Sequence, residues 1–204
     1  MKVLLAGLML GASLIVAIGP QNLMVINYGI RRRSVGIIVI TCILGDVVLY
    51  VAGTLGVSGL VLAFPWALEV LRWLGVFFLL ALAAQSVREA LWPKSAALDA
   101  AQELRDAARG WVGPVRTILA VTFLNPAAFL DTLVIAGSIA NQYPLPQRWY
   151  FLIGAMIASA LWFPLLGYGA AALSGPLSKP SVWRVLKGVI AVMLLVLAVR
   201  VALM

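Results

Sequence analysis

The stretch VGIIVITCILGDVVLYVAGTLG, residues 35–56, decides the class of fold. It contains a single charged residue, Asp46, and most of its other residues are aliphatic. A run of about 18 or more mostly apolar residues has the length needed to cross the hydrocarbon core of a bilayer. The stretch therefore predicts a membrane-spanning α-helix rather than a helix in the core of a soluble domain.

The composition of the whole chain indicates the same class of fold. Of its 204 residues, 64% are hydrophobic and 11% are charged, whereas globular domains have about 45–50% and about 25%. A soluble fold of this size has no core large enough to bury that excess, but lipid accepts apolar surface on every side of a helix. At about 20 residues for each crossing, five to seven crossings fit the chain.

The apolar runs predict an all-α membrane protein with six transmembrane helices in one domain, residues 1–204. The runs are residues 3–27, 35–56, 67–87, 117–140, 149–173 and 182–203. The first run continues through Gly19-Pro20 to Ile26 without an A-x-A cleavage site, so we expect a retained helix rather than a signal peptide. Residues 88–116 form a polar segment between the two halves of the chain.

The basic residues predict how the chain is oriented in the membrane. The first, third and fifth connections hold eleven of the 15 lysines and arginines. Because cytoplasmic loops are enriched in these residues, we expect the odd-numbered connections, including 88–116, in the cytoplasm and both termini outside. The net charge of +8 is then mostly an orientation signal and does not imply a nucleic-acid partner.

Two helices contain proline where an apolar run should continue. The first is interrupted at Gly19-Pro20, followed by Gln21 and Asn22, and the fourth at Asn125-Pro126. Proline bends or breaks a helix, and the freed backbone groups cannot face lipid. Each interruption lies in the first helix of a three-helix half, which predicts two inverted repeats with a site near the midplane. The alternative is a pair of tolerated kinks with no role in function.

Two carboxylates, Asp46 and Asp131, lie within apolar runs. A charge at this depth is costly and is usually retained for an ion or substrate pathway, a proton relay or a structural partner. A structural pair would need a buried base. Arg72 lies three residues after Glu69, which predicts a local pair, and Arg200 lies near the chain end, where its side chain can reach the interface. A functional role is therefore favoured for both aspartates.

The two features together suggest a ligand. Half-helices that begin near Pro20 and Pro126 present positive dipole ends, which suit a carboxylate. Asp46 and Asp131 suit an ammonium or guanidinium group. An amino acid carries both kinds of charge, and a basic amino acid would use the second aspartate. A proton on either acid would weaken the hold on the cation, which would couple proton entry to release.

Several function classes are disfavoured by residues that the chain lacks. It has no histidine and one cysteine, Cys42, so it has no internal disulfide, no CxxC motif and few metal ligands. With no obvious activated nucleophile either, we expect no enzyme activity, no cofactor and no metal. A passive channel remains an alternative, as does an exporter of other amino acids or small cations. Gly7 and Gly11 are expected to serve close helix packing, within the chain or in a homo-oligomer.

The motifs around the two interruptions are also recognisable. Together they resemble the LysE/ArgO family of basic amino-acid exporters: Gly19-Pro20-Gln21-Asn22, Gly29-Ile30-Arg31-Arg32, Thr122-Phe123-Leu124-Asn125-Pro126 and Leu130-Asp131-Thr132. The resemblance implies about six helices in the bacterial cytoplasmic (inner) membrane and export of lysine, arginine or toxic analogues driven by the proton motive force.

By the same resemblance, Asp46 and Asp131 match the family's acidic positions, and Pro20, Asn22, Asn125 and Pro126 match its helix-break positions. This chain departs from the family pattern after the second Asn-Pro. Members often have a histidine and an aromatic hydroxyl there, and this chain has Ala127-Ala128-Phe129. We expect this departure to change either the choice of substrate or the way in which protons are bound and released.

Overall fold

The computed structural model describes residues 1–16, 19–56, 65–91, 110–125, 128–177 and 180–203. In that part of the chain every regular element is helical, with no strand. The elements are α1 (Lys2–Val16), α2 (Pro20–Ile30), α3 (Val35–Thr54), α4 (Pro65–Leu91), α5 (Val112–Phe123), a π-helix (Phe129–Ala136), α6 (Gly137–Ala140), α7 (Leu145–Ala172), α8 (Ser174–Leu177) and α9 (Pro180–Ala202).

The helices lie over the predicted apolar runs, but their ends differ at the polar segment 88–116. Residues 88–91 belong to α4 and residues 112–116 to α5, so the described helices continue a few residues into this segment at each end. Hydropathy marks only where a helix enters lipid, and a helix continues into the polar region as long as its backbone hydrogen bonds are satisfied. Residues 92–109 lie outside the described residues.

Within the described part of the chain, two helices are long and apolar enough to cross a membrane, α3 and α7. The pair α1 and α2 meets the same test as one broken span, and shorter apolar helices cover Val112–Phe123, Asp131–Ala140 and Gly188–Ala202. Large apolar side chains such as Phe77, which is 80% exposed, project outward from the bundle. Surface of this kind is stable only in lipid. The chain is therefore an integral membrane protein.

The helices form one bundle and one adjoining pair. In the bundle, α7 contacts α1, α2 and α3, and α3 contacts α5, the π-helix and α6. The pair consists of α4 and α9, which pack along each other. Leu23 of α2 joins this pair in a buried cluster that includes Leu79 and Leu194. Helix α2 therefore lies between the pair and the rest of the bundle.

Glycines allow the backbones of the bundle to approach closely. A Cβ added to Gly7 would meet the Phe151 carbonyl, and one added to Gly11 would lie 2.8 Å from the Cα of Ala155. The expected role of Gly7 and Gly11 in packing is confirmed, and the contacts are made within the chain. A Cβ on Gly53 of α3 would likewise lie 2.5 Å from the Leu133 carbonyl oxygen.

Two glycines of α7 provide a matched test of this packing. A methyl group at Gly154 would overlap the carbonyl of Leu4, whereas one at Gly169 would meet nothing within 4 Å. Overpacking costs about 1–3 kcal/mol, which exceeds the gain of about 1 kcal/mol in helix propensity. Gly154→Ala should therefore lower the thermal stability of the protein in detergent by several degrees, followed by tryptophan fluorescence. Gly169→Ala should leave it equal or higher, and equal stability of the two variants would contradict the packing.

Candidate functional site

The interruption of the first span lies between α1 and α2. Helix α1 ends at Val16 and α2 begins at Pro20, with the two axes bent by 72°. Gly19 precedes α2 in an extended conformation (φ −106°, ψ 179°), and its carbonyl accepts a hydrogen bond from Leu23 N at 3.1 Å. Proline suits the first turn of a helix because it has no N–H to leave unpaired there. Ile18 lies outside the described residues.

Asn22 connects the two sides of this interruption. Its side-chain Nδ2 donates to the carbonyl oxygen of Ile15 at 2.8 Å, in the last turn of α1. Its Oδ1 accepts a hydrogen bond from the indole Nε1 of Trp162 on α7 at 3.3 Å. Asn22 is 4% exposed, so its amide groups depend on the protein for hydrogen-bond partners. Asn22 thus partners a carbonyl that the end of α1 leaves without an intrahelical donor.

Asp46 lies in the middle of α3 and is 6% exposed. Its Oδ2 accepts a hydrogen bond of 2.8 Å from the hydroxyl of Ser159, a fully buried residue of α7. The neighbouring Gly45 leaves room for Thr122, since an added Cβ would lie 3.1 Å from the Thr122 methyl group. The carboxylate therefore sits where α3, α5 and α7 meet.

Several buried polar atoms near Asp46 have no hydrogen-bond partner among the residues that the structure describes. Gln21, at the start of α2, interacts with Asp46 and with Cys42, yet its buried Nε2 forms no hydrogen bond of good geometry. The Tyr50 hydroxyl, one turn after Asp46, and the Thr122 hydroxyl are buried and unpaired as well. Leaving such a group unpaired costs about 1–3 kcal/mol. Three unpaired groups around one buried carboxylate are the arrangement expected of a site for a polar ligand.

Asp131 lies in the π-helix and is less buried than Asp46. It interacts electrostatically with Arg200 of α9, and both Asp46 and Asp131 act on the Tyr50 phenol. Tyr50 is thus within electrostatic range of both acidic positions. Sequence position did not indicate the influence of Arg200, because Arg200 lies on α9, far from Asp131 along the chain. π-helical turns within helices are frequent at functional sites.

The second interruption is described only in part. Helix α5 ends at Phe123, and Asn125 is a buried residue between it and the π-helix. The Asn125 carbonyl accepts a hydrogen bond from Phe129 N at 3.2 Å. Pro126 lies outside the described residues.

A charged cluster at the start of α4 is separate from this site. Arg72 forms an ion pair with Glu69 at 2.9 Å, which confirms the predicted local pair. The indole Nε1 of Trp73 donates to the same carboxylate at 3.0 Å. Arg72 therefore pairs with Glu69 near the end of a span rather than with Asp46 or Asp131.

The structure thus brings Gln21 close to Asp46, and α7 contacts both Asp46 and Asn22. Sequence reasoning missed Ser159, Tyr50 and the hydrogen bond that Trp162 forms. The spacing of Tyr50, four residues after Asp46, was a usable signal because side chains at that spacing share a helix face. Among the described residues, no group of three or more acidic, cysteine or histidine side chains could hold a metal ion.

Comparisons with known proteins place this site in a family. The family model for LysE type translocators matches residues 12–204. A lysine exporter LysE from Corynebacterium efficiens is 42% identical and one from Corynebacterium glutamicum 39% identical, each over the full length of both chains. An arginine exporter protein ArgO from Salmonella newport is 38% identical, over 96% of this chain and 91% of that protein.

No solved structure matches the chain. The family model nevertheless covers both interruptions, both acidic positions and the α7 residues that hold Asn22 and Asp46. The resemblance seen in the motifs is confirmed, and the chain belongs to the LysE family of translocators.

Proposed function

We propose that the protein exports basic amino acids, lysine or arginine, across the bacterial cytoplasmic membrane in exchange for protons. The observation that carries the proposal is the buried Asp46 carboxylate with the unpaired Gln21, Tyr50 and Thr122 groups around it. Relatives that span the whole chain are named lysine and arginine exporters, which supplies the substrate class. Export requires no covalent chemistry, so the protein is proposed to be a transporter and not an enzyme.

The charges of the site match those of the substrate. Asp46 would bind the α-ammonium group, and Asp131, whose charge also acts on Tyr50, would bind the side-chain cation. The positive end of the α2 dipole at Pro20, beside Gln21, would receive the carboxylate. Asn22 and Asn125 would hold the two helix ends that line the site. Protonation of an aspartate removes the charge that holds the cation, so proton uptake and cation binding are alternatives at the same group, and proton uptake releases the substrate.

We propose an architecture of six crossings in two inverted three-helix halves. The first half would contain α1 with α2, then α3 and α4. The second would contain α5 with the π-helix and α6, then α7 and α9. Two close contacts correspond between the halves: Gly29 meets the backbone of Gly167, and Gly137 meets that of Gly53. Pairing of the third and sixth spans, α4 with α9, is also what a two-fold relation requires.

The contacts at the helix ends support alternating directions. Arg32, after α2, donates from Nε to the Ala171 carbonyl at 3.2 Å and to the Ser174 hydroxyl at 2.7 Å. Asn141, after α6, donates to the Gly53 carbonyl at 3.2 Å. The first contact joins the ends of the first and fifth spans, and the second joins the ends of the fourth and second. The end that carries Arg32 would face the cytoplasm.

Reporter fusions test this orientation. Green fluorescent protein inserted within 88–116 should fluoresce, and alkaline phosphatase inserted there should be inactive, because that segment is proposed to be cytoplasmic. The same reporters inserted within 141–148 should give the opposite pair of results. The reverse pattern would overturn the orientation without affecting the transport assay.

Efflux from proteoliposomes tests the substrate and the driving force. Purified protein should release preloaded arginine or lysine when a pH gradient is imposed, and neutral or acidic amino acids should compete weakly. No release of any basic amino acid would overturn the proposed function. Preference for another amino acid would favour the second candidate, an exporter of different specificity, which the residues Ala127-Ala128-Phe129 make worth testing.

Neutral replacements of the acids test the site. Asp46→Asn should lower arginine efflux at least about tenfold, because losing one partner of a buried charge pair costs several kcal/mol. Asp131→Asn should reduce efflux of basic amino acids more than that of any neutral substrate. Asp99→Asn, in the polar segment 88–116, is the matched control and should leave efflux unchanged. Full export by both Asp46→Asn and Asp131→Asn would contradict the mechanism and favour a passive channel.

A further inference from the structure

Two residues of α7 form hydrogen bonds with Asp46 and with Asn22. Ser159 donates to the Asp46 carboxylate on α3 at 2.8 Å, and Trp162 donates to the Asn22 amide oxygen on α2 at 3.3 Å. Residues three apart lie on the same face of a helix, one turn from each other. A single face of α7 therefore contacts both the buried carboxylate and the interruption of the first span.

The hydrogen bonds form a continuous path from the carboxylate to the end of α1. Ser159 holds Asp46, and the helical backbone of α7 connects Ser159 to Trp162. Trp162 then holds Asn22, which donates to the Ile15 carbonyl. Because α7 also packs against α1, α2 and α3, a small movement of this helix changes all of these contacts together.

Asn22 forms hydrogen bonds of different length to α1 and to α7. The bond from Asn22 to Ile15 is 2.8 Å, near the short end of the usual range, and the bond from Trp162 to Asn22 is 3.3 Å, beyond it. The bond from Trp162 to Asn22 is the one that joins α7 to α2, so a movement of α7 relative to α2 breaks this bond. Asn22 would then stay with α1 while α7 is released from the interruption.

We propose that Ser159 and Trp162 are positioning residues through which the occupancy of Asp46 controls the interruption of the first span. The inference rests on the proposed function, since it takes the bound cation to be the substrate ammonium. A cation bound to Asp46 draws the carboxylate away from its position in the empty site, and Ser159 transmits the displacement to α7. Trp162 then releases Asn22, and α2, still joined to α1 through Asn22, can move relative to α7.

Packing alone is the competing role for Trp162. Its ring lies against a buried cluster that includes Val25, Ile38 and Phe163, so any large apolar side chain would fill the space. Trp162→Phe keeps an aromatic ring and removes only the indole N–H. If the residue serves packing alone, this variant behaves like the wild type, whereas a positioning role requires the N–H itself.

Matched controls exist for Trp162→Phe and for Ser159→Ala. Trp73→Phe also loses an indole hydrogen bond, to Glu69 at the start of α4, and Ser86→Ala also loses a buried hydroxyl, which donates to the Leu82 carbonyl at 2.9 Å. In arginine efflux, Trp162→Phe should lower kcat about 3- to 10-fold with KM changed less than twofold, as loss of one hydrogen bond predicts. Ser159→Ala should change mainly KM. Both control variants should match the wild type.

Cys42 provides a direct reporter of the coupling. It is the one cysteine of the chain, is fully buried and lies near Gln21 and Asp46. In the full-length protein in proteoliposomes, arginine should change the rate at which maleimide labels Cys42. Trp162→Phe and Ser159→Ala should lose this arginine-dependent change, while Trp73→Phe and Ser86→Ala should retain it.

The outcomes separate this inference from the proposed function. If wild-type protein neither exports arginine nor responds to it at Cys42, the proposed function fails and the inference fails with it. If the wild type responds and both α7 variants respond equally, the proposed function stands and the inference is overturned. Should Trp162→Phe fail to give a monodisperse protein, Ser159→Ala decides the result by the same labelling measurement.

Discussion

Lipid offers no hydrogen-bond partner, so every polar group inside the membrane must be satisfied by the protein itself. The rest of the site depends on this constraint. Interrupting the first span at Pro20 exposes carbonyls at the end of α1, and Asn22 supplies a donor to one of them across the gap. Asn22 is in turn held by Trp162, so the stability of the interruption depends on the position of α7.

The same constraint explains why the polar groups around Asp46 favour a bound ligand. One carboxylate oxygen is satisfied by Ser159, yet the Gln21 amide nitrogen and the hydroxyls of Tyr50 and Thr122 remain unpaired. Because unpaired buried groups destabilise the empty state, a ligand that supplies their partners gains that free energy on binding. A charged, strongly hydrated amino acid needs such compensation when it leaves water, which is why a closed polar cluster suits a transporter of this substrate class.

The sequence predicted those residues that conflict with lipid. Asp46, Asp131, Pro20 and Asn22 stand out because each is costly in an apolar helix. Ser159 does not stand out, since a hydroxyl in a helix can bond its own backbone, as Thr41, Thr54 and Ser86 do with the carbonyl four residues earlier. Trp162 does not stand out either, because tryptophan is common in membrane proteins whether or not its indole N–H donates a hydrogen bond.

By itself, the sequence determined the membrane class, the positions of the apolar helices to within a few residues, and the residues that lipid should not tolerate. These features follow from the amino-acid composition and from the length of the apolar runs, which are local properties of the sequence. Only the tertiary structure decided that one face of α7 holds both Asp46 and Asn22, that both acids act on Tyr50, and that Arg200 acts on Asp131. Those contacts join helices distant in the chain, and their partners are selected by close packing at glycines, which no local pattern encodes.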